Sequence, residues 1–130
     1  MNEPATCLTQ GIRVSVSAKY LSDHSEPGEA KFLFSYEVTI TNEGEESVQV
    51  LRRHWVIKDA NHHVEEVRGD GVIGQTPILA AGQSFTYVSY CPLKTTTGTM
   101  RGEYEVMRPS GYIFEALIPP FALMPQNMLN

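Results

Sequence analysis

Apolar and polar residues alternate along most of this sequence, and this alternation restricts the fold more than any other feature. One example runs from Ile12 to Tyr20 and another from Phe32 to Ile40. Successive side chains of a β-strand point to opposite faces, so alternation is typical of strands with one buried face and one face in water. No segment keeps an apolar stripe at helical spacing over several turns. The sequence therefore predicts an all-β protein.

The chain is predicted to contain about seven short strands, separated by residues that favour turns, such as Asn42-Glu43-Gly44. The strands are expected at residues 12–20, 32–40, 48–58, 64–68, from 85 onward, 100–106 and 112–118. This regular spacing is typical of an immunoglobulin-like or fibronectin type III-like β-sandwich. We expect a single domain over residues 1–130, with a core at about 8–123 and a tail at each end.

The third predicted strand changes its pattern partway. Val48 and Val50 share one parity, whereas Leu51 and Trp55 share the other, which indicates a β-bulge near Val50 or Leu51. Trp55 is expected in the core. Arg53 has the parity of Trp55, so its charge must reach the rim of the domain or find a partner.

The charge balance and the chain ends narrow the possible partners. Ten basic and fifteen acidic residues give a net charge of -5, so unspecific nucleic-acid binding is not expected. Neither a secretory signal nor an apolar stretch long enough to span a bilayer is recognisable, and we expect a cytoplasmic protein without membrane contact. The uncharged segment Phe121–Asn130 is expected to pack back on the domain, covering a sheet edge or joining two copies in a homodimer.

The two cysteines do not indicate a disulfide or a metal site. Cys7 is predicted in the N-terminal tail and Cys91 just beyond a strand, and neither has the C-x-x-C spacing of redox or zinc sites. Free thiols are expected.

A glycine-rich segment is the most suggestive feature for function. Gly69, Gly71 and Gly74 match G-x-G-x-x-G, a pattern that lets backbone N–H groups approach a pyrophosphate. No helix follows the segment, which excludes a dinucleotide-binding fold of the Rossmann type. Two interpretations remain: an anion-binding nest assisted by Arg68 and Arg53, or a turn that needs positive φ. If the nest exists, Gly71→Val is expected to abolish binding without unfolding the protein.

Other candidate groups do not assemble into a recognisable site. His62-His63 are adjacent and would point to opposite faces of a strand, so a surface turn is favoured over a metal site. No pattern resembling a nucleophile elbow is present, and no catalytic residue or cofactor is predicted. Three functions remain open. In decreasing order of support from the sequence, they are a partner-binding module, a sensor of phosphorylated small molecules, and a phosphate-cleaving or metal-handling enzyme.

Several ordered motifs resemble the bacterial ApaG family over nearly the whole chain. They are Tyr36-Glu37-Val38-Thr39-Ile40-Thr41-Asn42, Leu51-Arg52-Arg53-His54-Trp55-Val56-Ile57, Glu65 to Pro77, Gly98-Thr99-Met100-Arg101-Gly102-Glu103-Tyr104 and Ile118-Pro119-Pro120-Phe121. The resemblance implies a fibronectin type III-like, cytosolic bacterial protein. It also implies a link with cobalt and magnesium tolerance and with a neighbouring diadenosine tetraphosphate hydrolase. Related domains occur in eukaryotic F-box proteins and in a polymerase-interacting protein, which favours a protein partner.

For the glycine segment, the resemblance implies binding of pyrophosphate or nucleotide phosphates at Gly69, Gly71 and Gly74. The resemblance does not by itself make this chain a metal-binding protein, because the sequence shows no cluster of ligands with metal spacing.

Overall fold

The computed structural model describes residues 4–126, which form two antiparallel sheets packed face to face. The nine strands of these residues are β1 (Ala5–Thr9), β2 (Ile12–Tyr20), β3 (Phe32–Asn42), β4 (Val48–Asp59), β5 (Val64–Asp70), β6 (Ile78–Leu79), β7 (Ser84–Leu93), β8 (Gly98–Met107) and β9 (Ile113–Leu123). Two short 3₁₀ turns, Ser22–His24 and Pro27–Glu29, lie between β2 and β3. The predicted all-β sandwich is confirmed, and the seven predicted strands are joined by β1 and the two-residue β6.

The order of the strands leaves the two sides of the sandwich different. The first sheet has the order β1-β2-β3-β7, and the second has the order β5-β4-β8-β9, with β6 paired to β4. On one side β9 lies against β1, where the Leu117 N–H donates to Thr9 Oγ1 at 3.2 Å. We call this the closed side. The other side, where the edges of β7 and β5 lie, we call the open side.

The faces predicted from alternation are the faces that the structure buries. The inward residues of β2 and β3 form the core together with Trp55, which is 3% exposed, as predicted. The indole lies against Tyr36 of the first sheet at a ring-centroid distance of 5.2 Å, and against Phe121 at 6.0 Å. Trp55 therefore joins both sheets in the middle of the core.

The bulge predicted in β4 is confirmed, and β9 contains another irregularity. The pairing of β4 with β8 shifts between Val50 and Arg52, so Leu51 is the extra residue. The pairing of β8 with β9 shifts between Met100 and Gly102, which pair with Phe121 and Ile118. The extra residue there belongs to β9, where two prolines cannot donate to the ladder.

The N-terminal prediction was wrong, because Cys7 does not lie in a tail. It is part of β1 and pairs with Val14, while Cys91 lies inside β7 rather than beyond it. Both thiols are free, and burial raises the pKa of Cys91 to about 11. The C-terminal segment enters β9 as far as Leu123, which is fully buried; residues 127–130 lie outside the described residues.

Candidate functional site

The glycine segment forms the end of β5 and a tight turn. Val72 and Gln75 exchange both backbone hydrogen bonds, at 2.7 and 3.0 Å, around Ile73 and Gly74, which have φ of +49° and +72°. Two central residues with positive φ are typical of a type I′ turn. The Gly71 N–H donates to the Leu51 carbonyl at 2.7 Å. The N–H groups of Gly71, Val72 and Gln75 thus donate to backbone carbonyls of the same chain.

The two arginines predicted beside this segment lie on opposite faces of the second sheet. Arg53 pairs with Gly69 and shares the inward face of Trp55, where its Nη1 donates to the carbonyls of Asp70 at 3.0 Å and Gly71 at 3.1 Å. A Cβ atom on residue 69 would lie 2.7 Å from the guanidinium carbon of Arg53, so glycine makes room for this side chain. Arg68 faces outward, 3.4 Å from Glu66. The structure therefore brings Arg53 to Gly69 and Gly71, but not Arg68.

Arg68 belongs to a dense array of charges on the outer face of the second sheet. The His54 ring lies between two carboxylates, with Nδ1 2.5 Å from Glu103 Oε2 and Nε2 2.8 Å from Glu66 Oε1. Burial opposes the imidazolium, but the hydrogen bonds to Glu66 and Glu103 outweigh it and raise the pKa of His54. The hydrogen bond from His54 lowers the pKa of Glu66.

A depression of about 390 Å³ lies in this charged face. Arg52 stands beside it, 3.4 Å from Asp70 and 3.9 Å from Glu105. The full lining is Arg52, Arg53, His54, Arg68, Gly69, Asp70, Glu103, Glu105 and Glu115. Arg52, His54 and Arg68 each have a carboxylate neighbour. The lining contains four carboxylates and three arginines, so the depression has no net positive field of the kind that attracts a phosphate.

A larger groove, of about 740 Å³, which was not predicted from the sequence, lies on the open side. Its apolar wall consists of Phe32, Leu33, Ile57, Val64, Pro92 and Leu93, and its polar rim of His24, Glu29, Lys31, Asp59, His63, Glu65 and Lys94. These residues come from the starts of β3 and β5, the ends of β4 and β7, the 3₁₀ turns and the adjoining loops. Since each of the four strands contributes only two of them, no local motif marks the groove.

Apolar side chains continue from the groove along the free edges of the open side. Val64, in the groove itself, is 51% exposed, and Val67 of β5 is 36% exposed. On β7, Val88 and Tyr90 are 47% and 61% exposed. Exposed apolar groups that adjoin an apolar groove are typical of binding surfaces.

No group of three or more His, Cys, Asp and Glu side chains within residues 4–126 is placed to hold a metal ion. The same residues contain no helix that is long and apolar enough to cross a membrane.

Comparison with known proteins gives consistent results at the level of sequence and of structure. Residues 22–108 match the sequence profile of the ApaG domain. The chain is 48% identical to Protein ApaG of Anaeromyxobacter dehalogenans strain 2CP-C over 126 residues, covering 97% of this chain and 99% of that protein. Against Protein ApaG of Brucella anthropi the identity is 50% over 116 residues, with 89% of each chain covered.

Two solved structures extend the comparison to the fold. The putative ApaA protein from Bordetella pertussis superposes with a TM-score of 0.87 at 45% identity, covering 88% of this chain and 94% of that one. The C-terminal domain of Wzt superposes with a TM-score of 0.56 at 9% identity, covering 97% and 80%, and shares the fold alone. With a matching profile and near-full-length relatives at this level of identity, the chain belongs to the ApaG domain family.

Proposed function

We propose that this protein is a non-catalytic module that binds another protein on its open side. The observation that carries the proposal is the groove of about 740 Å³ between the starts of β3 and β5 and the ends of β4 and β7. An apolar wall with charged groups at its rim is the usual composition of a surface that buries a partner's side chains and orients them by charge.

The composition of the groove favours binding over catalysis. Its lining residues, all within the described chain, include no serine, threonine or cysteine that a neighbouring base would activate. Its histidines, His24 and His63, lie at the polar rim, and both are exposed. The groove offers contact area and charge rather than an activated nucleophile.

The test compares two substitutions that introduce the same charge at equally exposed positions. Val64→Asp lies in the groove, whereas Ile113→Asp lies on β9 of the closed side, and the two valine and isoleucine side chains are 51% and 49% exposed. Affinity purification from a lysate of the source organism is expected to recover a protein that wild type and Ile113→Asp retain and Val64→Asp loses. The interaction is then measured with both purified proteins. Equal retention by all three proteins would refute the proposal.

A second candidate function is binding of pyrophosphate or nucleotide phosphates near the glycine segment. Arg52 and Arg68, which line the depression of about 390 Å³, are the cations that support it. With Glu103, Glu105 and Glu115 in the same lining, we expect micromolar to millimolar affinity that depends strongly on salt. Titration of the ¹⁵N-labelled protein with pyrophosphate at low salt tests it: amide shifts at residues 68–75 support this function, and their absence leaves the protein-binding function alone.

The link to cobalt and magnesium tolerance that the family resemblance implies fits the first proposal as an indirect effect. In this proposal the bound partner, and not this protein, responds to the metal ions, because residues 4–126 contain no cluster of metal ligands. Calorimetric titration with Co²⁺ and Mg²⁺ is expected to show no saturable binding to the isolated protein.

A further inference from the structure

We propose that the free edge of β7 accepts an extended segment of a partner protein as an added strand, and that this segment is apolar at alternate positions and flanked by Lys or Arg. This inference rests on the proposed protein-binding function and specifies its partner. It follows from the direction of the backbone groups of β7, the lack of charge on that strand, and the shape of the open side.

The hydrogen bonds around β3 show which groups of β7 face outward. The Leu33 carbonyl accepts from Leu21, on the side of β2, whereas the Asn42 N–H donates to Gln83, on the side of β7. Backbone groups of successive strand residues point to alternate sides, so the even-numbered residues of β3 bond β7. Their partners on β7 are odd-numbered, as in Tyr36↔Ser89. The even-numbered residues Val88 and Tyr90 therefore direct their N–H and C=O groups to the free edge.

Proline at position 92 agrees with this assignment. Pro92 pairs with Leu33 and lacks an N–H group, so it is tolerated where that group would point away from β3. Because Pro92 lines the groove, the series of free backbone N–H groups along the edge of β7 ends where the groove begins.

β7 lacks the features by which proteins protect edge strands. All ten residues of β7 are uncharged, while β5, the other edge of the open side, contains Glu65, Glu66, Arg68 and Asp70. Charged side chains and short length are the usual protection against pairing with another chain. A long, uncharged edge with exposed Val88 and Tyr90 has the properties of a docking edge.

The second sheet extends beyond the first on the open side, which leaves room for one more strand. Every residue of β5 except Gly69 is exposed. Val67 pairs with Trp55 and so faces inward, yet it remains 36% exposed. A strand added to β7 would lie beneath β5. Its inward side chains would cover Val67 and reach the groove wall at Ile57 and Leu93.

The geometry favours a segment of another protein over a second copy of this chain. In a second copy the inward side chains of β7, such as Tyr87 and Cys91, are buried in that copy's own core. Pairing between two β7 edges would therefore leave both grooves empty. Two copies, each with a net charge of -5, would also repel each other.

The charges at the groove indicate the flanking residues of the segment. Lys31 lies 3.4 Å from Glu26, and Asp59 Oδ1 accepts the N–H groups of Asn61 and His63. Within residues 4–126, the side chains of Glu29 and Glu65 form no hydrogen bond or ion pair, so they remain available to a basic residue beside the apolar segment.

The experiment uses a synthetic peptide of alternating valine and threonine flanked by lysines, titrated into the ¹⁵N-labelled protein. We expect the Val88 and Tyr90 amides to shift and to gain protection from exchange. Val88→Pro removes one edge donor and is expected to weaken the peptide about tenfold or more. Val88→Thr keeps the donor and is expected to bind within about twofold of wild type. The same peptide, N-methylated at its edge-facing amides, tests the contact without relying on the folding of Val88→Pro.

Each other outcome has a distinct meaning. Equal binding of the N-methylated peptide, or unchanged Val88 and Tyr90 amides, rejects strand addition. If Val64→Asp still releases the purified partner in that case, the protein-binding function stands and only its mode is wrong. If Val64→Asp has no effect either, both proposals fail. A dimer in sedimentation that Val88→Pro abolishes, together with no peptide binding, assigns the edge to a second copy and overturns the inference.

Discussion

Gly71 and Gly74 have nearly the same backbone conformation but different surroundings. Their φ values are +65° and +72°. A Cβ atom on residue 71 would lie 2.3 Å from the Gln75 carbonyl oxygen, whereas one on residue 74 would meet no atom within 4 Å. A left-handed conformation disfavours any larger residue at both positions, but only Gly71 is also held by a close backbone approach.

We expect Gly71→Ala to lower the free energy of unfolding about 2 kcal/mol more than Gly74→Ala does. To admit the methyl group, the turn must open and lose the two Val72–Gln75 hydrogen bonds, each contributing about 1 kcal/mol. Urea denaturation of both variants measures the difference, with Gly74→Ala as the control for the cost of positive φ. Equal losses would show that the turn adapts. The clash also contradicts the expectation that Gly71→Val would leave the fold intact.

His54 is expected to make stability depend on pH. The pKa of His54 in the folded protein is raised above the ordinary value of 6.5. Its stabilising contribution to the free energy of unfolding is therefore complete below pH 6.5 and is lost as the pH rises through the folded pKa. The pKa of Glu66 is lowered from 4.5, so its contribution is present above pH 4.5 and is lost as the pH falls through its folded pKa. The stability difference between wild type and His54→Gln is therefore expected to be greatest between pH 4.5 and 6.5. Urea denaturation of both proteins over a range of pH measures this difference. A difference that does not vary with pH would contradict the pKa shifts assigned to His54 and Glu66.

At the scale of the strands, the sequence predicted correctly those strands that have one face buried and the other exposed to solvent. Alternation identified β2 and β3 because their inward residues are mostly large and apolar. It did not identify β1, because the inward residues of that strand, Ala5, Cys7 and Thr9, are small or weakly apolar. The β4 bulge was visible as a change of parity at Leu51. The groove was not predictable in this way, since its walls come from strands that are distant in sequence and meet only in the fold.

The Trp55 position in β4 is expected to dominate the packing between the sheets. Trp55→Ala should lower the free energy of unfolding by about 3–5 kcal/mol, because no neighbouring strand can collapse into the space the ring leaves. Tyr90→Ala is the matched control: Tyr90 is 61% exposed on the β7 edge, and its loss should cost less than about 0.5 kcal/mol. Denaturation of the two variants compares them. A cost below about 1 kcal/mol for Trp55→Ala would mean that the core repacks.

At the scale of the whole molecule, the sandwich is asymmetric. The closed side joins β1 to β9, whereas the open side leaves two edges apart with a groove between them. A fold shared at 9% identity with the Wzt domain does not determine function, so the proposed function rests on the difference between these two sides.

Hydrogen exchange is expected to follow the same asymmetry in the isolated protein. Amides of β2, β3 and β8, which are paired on both sides, should exchange slowest, and those of β5, which is exposed along almost its whole length, should exchange faster. Within β7, the amides of Val88 and Tyr90 should exchange much faster than those of Tyr87 and Ser89, because only the latter pair donate to β3. Amide exchange followed by NMR resolves these residues individually. Equal protection of odd and even residues in β7 would mean that the edge is already covered in the isolated protein, and the open side would then not be free to receive a partner.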